Sequence, residues 1–549
     1  MKKIDGYPEY MMESIRLVEE KRDENIKTAV TPLTMEERED VLSKYHPDFM
    51  DGTRREVRVG PNKGELIYNG IVDLLEARSA LDTSAIDLSC VDYDVDVLII
   101  GGGGAGTVAS LFANEYGVPA ENILITTKLR HGDANSMMAQ GGIQAADRPI
   151  DSPALHYLDI YGGGHFTNKP DLARALAMDA PEIIRWHVDL GVMYDREEDG
   201  EFQELSGGGT SRNRMHSAKD YSGMEIMRTI RDRSRNLAIP TLEFCPVVEL
   251  LLDDSGTVSG GVAFNIETNE YQVIRAKAVI MATGGSGRLH LSGYPTTNHY
   301  GATGDGLIMA YHAGANLLDL DTIQIHPTGD AYPEAVVGIL TTEKVRGLGG
   351  KPLNKDGDPF VFPLEPRDVE SAMFLKECDE GRGIVTPTGM PGVWLDAPMI
   401  DEIHGEGTVA DKLAGEVRKF KRFGIDMTVQ PILVYPTLHY QNGGVEINEK
   451  CETKVPGLFA AGEVTGGVHG KNRLMGNSLL DFNVFGRRAG IQVAAYLKKR
   501  RSVGKLSMAH IDRYNRMIDD SNIETDMTAP AILPEYRGQE TLSRALDIL

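Results

Sequence analysis

The most constraining feature of the sequence is a short apolar run that leads directly into a glycine-rich turn. Residues 95–100 (VDVLII) suit a buried parallel strand, and residues 101–106 read GGGGAG. A helix-like segment follows over 107–116, and a second apolar run over 123–126. This order predicts a βαβ unit with a GxGxxG turn, in which backbone N–H groups and a helix N-terminus hold a pyrophosphate.

The end of the second predicted strand departs from the pattern of nicotinamide dinucleotide sites. Residues 126–128 read TTK, so no acidic residue is in place to accept the hydroxyl groups of an adenosine ribose. The unit therefore predicts a dinucleotide site, but its sequence does not favour NAD.

The length of the chain requires more than one hydrophobic core. A chain of 549 residues predicts about two to four domains. Two further transitions from strand to glycine turn occur at 278–285 and 457–463, and TGDG at 303–306 opens a helix-like run. These segments indicate one nucleotide-binding domain whose sequence is interrupted by an insert.

The charge balance excludes one class of partner and sets a condition for another. Asp and Glu outnumber Lys and Arg by 81 to 57, which gives a net charge of −24. The sequence also has no run of basic residues that could bind along the phosphate backbone of a nucleic acid. We therefore expect no nucleic-acid partner. An anionic substrate would be repelled by most of this surface, so it needs a local group of Arg and His side chains.

The lengths of the apolar runs and the spacing of the cysteines indicate the location of the protein and argue against disulfides and metal sites. The sequence lacks both an apolar stretch of transmembrane length and a secretory leader, so we expect a cytoplasmic protein that touches a membrane, at its inner face, only through a partner. Cys90, Cys245, Cys378 and Cys451 are far apart in the sequence, so we expect neither a disulfide framework nor a metal site. Any iron–sulfur relay would then belong to another chain.

Several further motifs occur in order along residues 93–495. They are AQGGI at 139–143, ATGG at 282–285, TGDG at 303–306, HPTG at 326–329, TEKVRG at 342–347, PRDV at 366–369, HY at 439–440, NRL at 472–474 and NSL at 477–479. Together they resemble the flavoprotein subunits of the fumarate reductase and succinate dehydrogenase family, which also contains L-aspartate oxidase. The resemblance implies FAD as cofactor and a four-carbon dicarboxylate of the fumarate or succinate type as substrate.

The same resemblance implies the fold. It is an α/β fold in which a capping domain, inserted into a Rossmann-like FAD-binding domain, closes over the flavin. The expected division is a helical N-terminal extension (1–92), the first part of the FAD-binding domain (93–320), an α+β capping domain (321–436), the second part of the FAD-binding domain (437–500) and a short C-terminal helical segment (501–549).

The resemblance also implies the residues that bind FAD. The glycine turn would hold the pyrophosphate, Thr127 and Lys128 would lie by the adenosine ribose, and Val247 would lie by the adenine. The expected set is Gly101, Gly103, Gly104, Ala105, Gly106, Thr127, Lys128, Asn135, Ser136, Ala139, Gln140, Gly141, Gly142, Val247, Thr283, Gly284, Asp305, His439, Glu463, Arg473, Ser478 and Leu479.

One position differs from the membrane-bound members of the family. Those members attach FAD covalently through a histidine five residues before the glutamine of the AQGG block, and that position is Asn135 here. His131 lies too early in the sequence. We therefore expect non-covalent FAD with a lowered potential, which would favour reduction of fumarate; the direction of turnover is a hypothesis.

The remaining motif residues imply the chemistry. His326, Thr328, Thr342, His439 and Arg473 are expected to hold the two carboxylates, because guanidinium and imidazole groups donate hydrogen bonds that carboxylates accept. His326 is also expected among the catalytic residues.

The resemblance implies Arg367 as proton donor, with Glu343 and Arg346 returning the proton from one face of a helix. A weaker alternative is that Arg367 only stabilises developing charge.

Two other functions remain open at this stage. An L-aspartate oxidase shares nearly all of the motifs, so they do not identify the substrate. A flavin-binding electron-transfer subunit without dicarboxylate turnover is the other alternative, although four cationic or proton-bearing groups argue against it. We expect the electrons to come from an iron–sulfur partner subunit, and the segment 1–92 is a candidate for docking to it.

Overall fold

The computed structural model describes residues 6–500 and 502–532. The helices are α1 (Glu9–Lys27), α2 (Met35–Tyr45), α3 (Asn69–Leu75), α4 (Gly104–Glu115), α5 (Asn135–Met138), α6 (Pro153–Gly163), α7 (Pro170–Leu190), α8 (Ser222–Asn236), α9 (Asp305–His312), α10 (Lys344–Gly347), α11 (Arg367–Asp379), α12 (Met399–His404), α13 (Thr408–Lys412), α14 (Ala414–Lys421), α15 (Asn477–Leu497) and α16 (Ala509–Asp520).

The strands are short outside two sheets. They are β1 (Arg54–Glu56), β2 (Leu66–Tyr68), β3 (Arg78–Ser79), β4 (Tyr93–Ile100), β5 (Ile123–Thr126), β6 (Ile143–Gln144), β7 (Glu204–Leu205), β8 (Met215–His216), β9 (Thr241–Leu242), β10 (Val247–Asp253), β11 (Val258–Asn265), β12 (Glu270–Met281), β13 (Leu317–Leu318), β14 (Gln324–Asp330), β15 (Lys351–Leu353), β16 (Ile384–Val385), β17 (Pro391–Asp396), β18 (Ile432–Tyr440), β19 (Gly444–Glu446), β20 (Leu458–Ala460), β21 (Thr465–Gly466), β22 (Leu506–Ser507) and β23 (Thr528–Ala529).

The larger sheet contains the predicted βαβ unit. Its order is β22-β10-β11-β12-β4-β5-β9, with β20 paired to β12, and β4 runs parallel to β5, with α4 between them in the chain. The last four residues of β4 are buried, as expected for a parallel strand covered on both faces. The carboxyl ends of β4, β12 and β20 meet at one edge, which places their glycine turns together. This architecture confirms the predicted α/β class.

A second sheet lies in the inserted segment. Its order is β14-β18-β17-β15, with β16 paired to β17, and α11 packs on β14. Strand β18 continues past the expected domain limit at residue 436, because it pairs with β14 as far as Tyr440 and Gln324. The register brings His326 and His439, which are distant in sequence, to neighbouring strands.

The N-terminal extension packs on this second sheet and its helices. A capping box begins α2, since Glu37 N donates to Thr34 Oγ1 (3.3 Å) and Thr34 N donates to Glu37 Oε2 (2.8 Å). Met11, Ile15 and Val18 of α1 are buried in the core of the inserted segment. The apolar face of α1 is therefore covered by this chain itself, and docking of the segment 1–92 to a partner stays a prediction.

The C-terminal part returns to the larger sheet. Strand β22 pairs with β10, and α16 contacts α9 and β3. The expected C-terminal segment was 501–549, of which Arg501 and residues 533–549 lie outside the described residues. In the part of the chain that is described, no helix combines the length and the apolar character that crossing a bilayer requires.

Candidate active site

An elongated cavity of about 340 Å³ lies between the larger sheet and the inserted segment. Its walls include the residues at the carboxyl ends of β4, β5 and β12, the N-terminus of α4, and side chains of β14, α11 and β18. Of the residues that the sequence singled out, all but Gly106, Thr328 and Arg346 line this cavity. The tertiary structure thus brings together groups that are spread over nearly 400 positions of sequence, from Gly101 to Leu479.

The three exceptions lie behind the wall. A Cβ atom at Gly106 would come 2.0 Å from Gly101 O, so this glycine lets α4 pack against the turn. Thr328 N donates to His326 Nδ1 (3.2 Å), which orients that ring. Arg346 Nη1 donates to Pro363 O (2.7 Å), and its guanidinium is fully buried.

One end of the cavity is formed by the glycine turn and the start of α4. The N–H groups in the first turn of a helix have no partner within the helix, and the helix dipole favours an anion there. Gly104 N donates to Ser136 Oγ (3.1 Å). Lys128 pairs with Asp305 and donates to Thr303 Oγ1 (2.6 Å). The start of α9 therefore places an acidic residue beside the lysine that follows β5.

Unpartnered polar atoms in the middle of the cavity test whether the residues fit a flavin nucleotide. Thr283 Oγ1 and Gln140 Oε1 are buried and have no hydrogen-bond partner within the described chain. Buried polar atoms normally find a partner, so these two require a bound group with donors and acceptors. Burial raises the pKa of Glu463 to about 7, and Gln441 N donates to this carboxyl (3.1 Å). These groups fit the FAD that the sequence predicts.

The position of the family's covalent histidine is occupied by a side chain with its own partners. Asn135 Nδ2 donates to Asn298 Oδ1 (2.6 Å), and His299 N donates to Asn135 Oδ1 (2.7 Å). His131 does not line the cavity and lies 3.0 Å from Thr107 Oγ1. Neither side chain offers a covalent link in this arrangement, and non-covalent FAD stays a prediction.

The other end of the cavity is cationic. Arg367 Nε donates to Glu343 Oε2 (2.8 Å), and Arg367 Nη1 donates to Gln324 Oε1 (3.1 Å). Arg473 lies over the ring of Tyr440, with 4.3 Å from its Cζ to the ring centroid. Arg473 Nε and Nη2 are buried without a partner among the described residues.

Burial shifts the pKa values of these two arginines. It lowers the pKa of Arg473 to about 9, helped by repulsion from Arg367. It also lowers the pKa of Arg367, although the Glu343 carboxylate opposes this change. Two guanidinium groups close together, only one of them paired with a carboxylate, form a site for an added carboxylate.

Two histidines complete this end. The rings of His326 and His439 have centroids 4.9 Å apart, and burial lowers the pKa of both well below the ordinary value. Both imidazoles are therefore neutral at physiological pH. Because Thr328 N donates to Nδ1 of His326, the ring proton is assigned to Nε2, which has no partner in the described chain. His326 can thus donate a hydrogen bond to an oxygen in the cavity.

Glu343 connects the wall to residues behind it. Its Oε1 accepts from Gly208 N (2.7 Å), and its Oε2 lies 3.5 Å from Arg346 Nη2. Burial tends to raise the pKa of Glu343, but Arg367 and Arg346 outweigh it and hold the pKa below its usual range. Arg346 is also paired with Glu370, whose pKa burial raises well above the ordinary value. The expected triad of Arg367, Glu343 and Arg346 is therefore contiguous.

Gln324 is a site residue that was not expected from the sequence. Besides accepting from Arg367, it donates through Nε2 to Arg473 O (2.7 Å). It therefore links the two arginines across the boundary between the inserted segment and the FAD-binding part. The sequence spacing could have identified Gln324, because it precedes His326 by two positions on β14, and alternate residues of a strand share one face.

Comparisons with known proteins identify the family of this chain. A family model described as an FAD binding domain matches residues 96–479. The chain is 38% identical to a fumarate reductase (CoM/CoB) subunit of Methanothermobacter marburgensis over 78% of each chain. It is 36% identical to the L-aspartate oxidase of a Nostoc species, over 73% of this chain and 68% of that protein.

A solved structure of the quinol fumarate reductase of E. coli has the same fold. The TM-score is 0.69 at 32% identity, and the match covers 78% of this chain and 74% of that one. The predicted resemblance and the FAD cofactor are thereby confirmed. The chain belongs to the FAD-binding family of the fumarate reductase and succinate dehydrogenase flavoproteins.

Proposed function

We propose that this chain is an oxidoreductase that interconverts fumarate and succinate at the cationic end of the cavity. The observation that carries the proposal is the convergence of Arg367, Arg473, His326 and His439 on the wall of one cavity, in a chain with a net charge of −24. Such a concentration of donors is of no use to a purely structural protein. It suits a small dianion that the rest of the surface repels.

The side chains divide into two groups of carboxylate binders. Arg473 offers Nε and Nη2, a forked pair that matches the two oxygens of one carboxylate. His326 offers Nε2–H, and Thr342 and His439 line the same wall. Fixing both ends of a four-carbon dianion aligns its central carbons, and positioning of this kind supplies several kcal/mol of the rate enhancement.

When bound, FAD supplies the hydride that is exchanged with one central carbon. Arg367 supplies the proton for the other carbon. Two of its nitrogens are held by Glu343 and Gln324, so Nη2 is the guanidinium nitrogen without a partner in the described residues. Burial has lowered its pKa, which makes it a stronger acid than a surface arginine.

Glu343 is placed to favour reprotonation of Arg367 from solvent, because an ionised carboxylate stabilises the charged guanidinium without giving up a proton itself. It contacts Arg367 through Oε2, and the same oxygen faces Arg346 at 3.5 Å. Because its pKa is low, Glu343 stays ionised and keeps the guanidinium protonated between turnovers. Arg346 lies behind the cavity wall and acts as a positioning residue through Glu343.

The charges favour fumarate over aspartate. The carboxylates that line the cavity in the described part of the chain are Asp133, Asp305, Glu343 and Glu463. Glu343 is neutralised by Arg367, and Asp305 is neutralised by Lys128. Beside Arg367 and Arg473, the α-ammonium group of aspartate would be repelled by two guanidinium groups, and Glu343 there is already paired, which costs binding energy.

We also propose that an iron–sulfur protein delivers or removes the electrons. The M. marburgensis relative is named as one subunit of its enzyme, which supports an assembly. The described residues contain no group of cysteines close enough to hold a cluster, although all four cysteines are described. In this proposal any membrane contact is made through the partner.

The test is an assay of the purified, FAD-loaded protein with three substrates. We expect oxidation of a reduced viologen dye by fumarate, slower dye-linked oxidation of succinate, and no peroxide from L-aspartate and oxygen. Arg473→Met should abolish turnover of fumarate, while the matched variant Arg382→Met, on the surface of the inserted segment, should retain it. Turnover of aspartate without turnover of fumarate would contradict the proposal and identify the chain as an aspartate oxidase.

A further inference from the structure

A cluster outside the active site contains three groups of the kind that bind metals. His216 ends β8, Glu204 begins β7, and Asp147 follows β6 by three positions. These strands form one small sheet in the order β6-β8-β7. One ligand atom from each of the three side chains lies within 4.8 Å of the other two.

The buried imidazole supplies evidence that is independent of the acidic groups. His216 is completely buried, and its Nδ1 lies 3.1 Å from Arg214 O. A carbonyl oxygen only accepts, so Nδ1 carries the proton and Nε2 presents a lone pair. Nε2 makes no hydrogen bond of good geometry within the described residues, although it lies within ion-pair distance of both carboxylates. It faces Asp147 Oδ2 at 3.2 Å and Glu204 Oε1 at 3.9 Å.

His216 is buried and Asp147 is exposed, so these three electron-pair donors face one another at the edge of the fold, where a cation between them would offset their repulsion. In a tetrahedral zinc site with bonds of about 2.1 Å, ligand atoms lie about 3.4 Å apart, which is close to the distances seen here. Arg148 Nε lies 3.1 Å from Glu204 Oε2, so it holds the other oxygen of this carboxylate and leaves Oε1 to the site. An imidazole donor selects zinc and similar transition metals over calcium or magnesium.

We propose that Asp147, Glu204 and His216 bind one divalent transition-metal ion of the zinc class. Asp147 is partly exposed, which provides a path of entry and leaves a coordination position for water. The contact of Nδ1 with a backbone carbonyl is the usual support for a metal-binding histidine.

The site is connected to the wall of the FAD cavity. His216 pairs with Ile143 in the sheet, and a Cβ atom at Gly142 would lie 2.4 Å from His216 O. Gly142 has a φ of +127°, a conformation that other residues rarely adopt. An ion on His216 therefore stabilises the segment that carries Gly141 and Gly142 beside the flavin.

The experiment titrates zinc chloride into the FAD-loaded protein after treatment with EDTA. Calorimetry and elemental analysis after gel filtration should give one zinc per chain, and zinc should raise the Tm. Asp147→Asn should weaken binding by at least about tenfold and remove the rise in Tm. Glu198→Gln removes an exposed carboxylate from the neighbouring turn and should bind zinc as the parent does.

A second variant distinguishes loss of zinc binding from loss of folding. His216→Gln keeps the size and a polar group, and it should also lose saturable zinc binding while it retains bound flavin. If the parent protein binds no zinc stoichiometrically, or if Asp147→Asn and Glu198→Gln bind it equally, the cluster is an ordinary His–Asp ion pair and the proposal is overturned. None of these readouts depends on turnover of a dicarboxylate.

Discussion

Arg367 and Glu343 form a buried ion pair with 2.8 Å between Arg367 Nε and Glu343 Oε2. Arg367 begins α11, and Glu343 precedes α10, so both belong to the inserted segment. Their partner Gln324 reaches the backbone of Arg473 in the FAD-binding part. The proposed proton donor, Arg367, is therefore fixed relative to Arg473, the arginine proposed to bind a carboxylate.

Removal of the proposed proton donor should lower the rate of turnover more than the affinity for fumarate. We expect Arg367→Ala to lower kcat for fumarate by about 10²- to 10⁴-fold, the range for loss of a general acid, with the flavin spectrum unchanged. Arg382→Ala is the control, since its side chain is partly exposed outside the cavity. A kcat within a few-fold of the parent would exclude Arg367 as the donor.

The dependence of fumarate capture on pH should report Arg473. Its pKa is about 9, and only its charged form attracts a carboxylate. As the pH rises through 9, the free enzyme loses this charge, so kcat/KM for fumarate should fall. His326 and His439 should not make kcat/KM fall as the pH drops toward neutrality, because burial holds their pKa values well below the ordinary range. A flat kcat/KM from about one pH unit below this pKa to about one unit above it would contradict this assignment.

Gln324 should act by positioning the two arginines. Gln324→Met keeps the volume but removes both hydrogen bonds, each of which contributes about 1 kcal/mol. We expect kcat/KM for fumarate to fall by roughly tenfold or more, with unchanged stability of FAD binding. Gln324→Glu keeps the acceptor for Arg367 and loses the donor to Arg473 O, so it should recover part of kcat. Equal kcat values for the two variants would argue against a positioning role.

The flavin should be removable without breaking a covalent bond. Asn135 occupies the position of the covalent histidine, and its side chain is held by Asn298 and His299. After acid precipitation of the protein, we expect all of the flavin in the supernatant, measured by absorbance. Flavin fluorescence that remains with the denatured protein would show a covalent link at another residue.

The N-terminal helix should stabilise the inserted segment. Ile15 is buried against that core, so Ile15→Ala should lower the free energy of unfolding by about 2–5 kcal/mol and reduce the Tm. Met12→Ala removes an exposed side chain of the same helix and should change the free energy of unfolding by less than about 0.5 kcal/mol. If the two variants have the same Tm, the packing of α1 contributes little.

Local sequence was sufficient for the nucleotide-binding elements and the motif residues. The apolar run before residue 101, the glycine turn and the capping box at Thr34 depend on contacts between near neighbours, so their structures follow from local patterns. The resemblance to the fumarate reductase and succinate dehydrogenase flavoproteins predicted the remaining site residues. All but three of the expected residues line one cavity.

Long-range packing determined the contacts between residues that are far apart in sequence, which no local pattern predicts. The role of Gln324, the pairing of Lys128 with Asp305, and the burial of α1 against the inserted segment join residues that are far apart in sequence. The same is true of the cluster of Asp147, Glu204 and His216, although no metal site was expected from the sequence. Such contacts depend on strand register and on which helix face is covered, and only the folded chain fixes both.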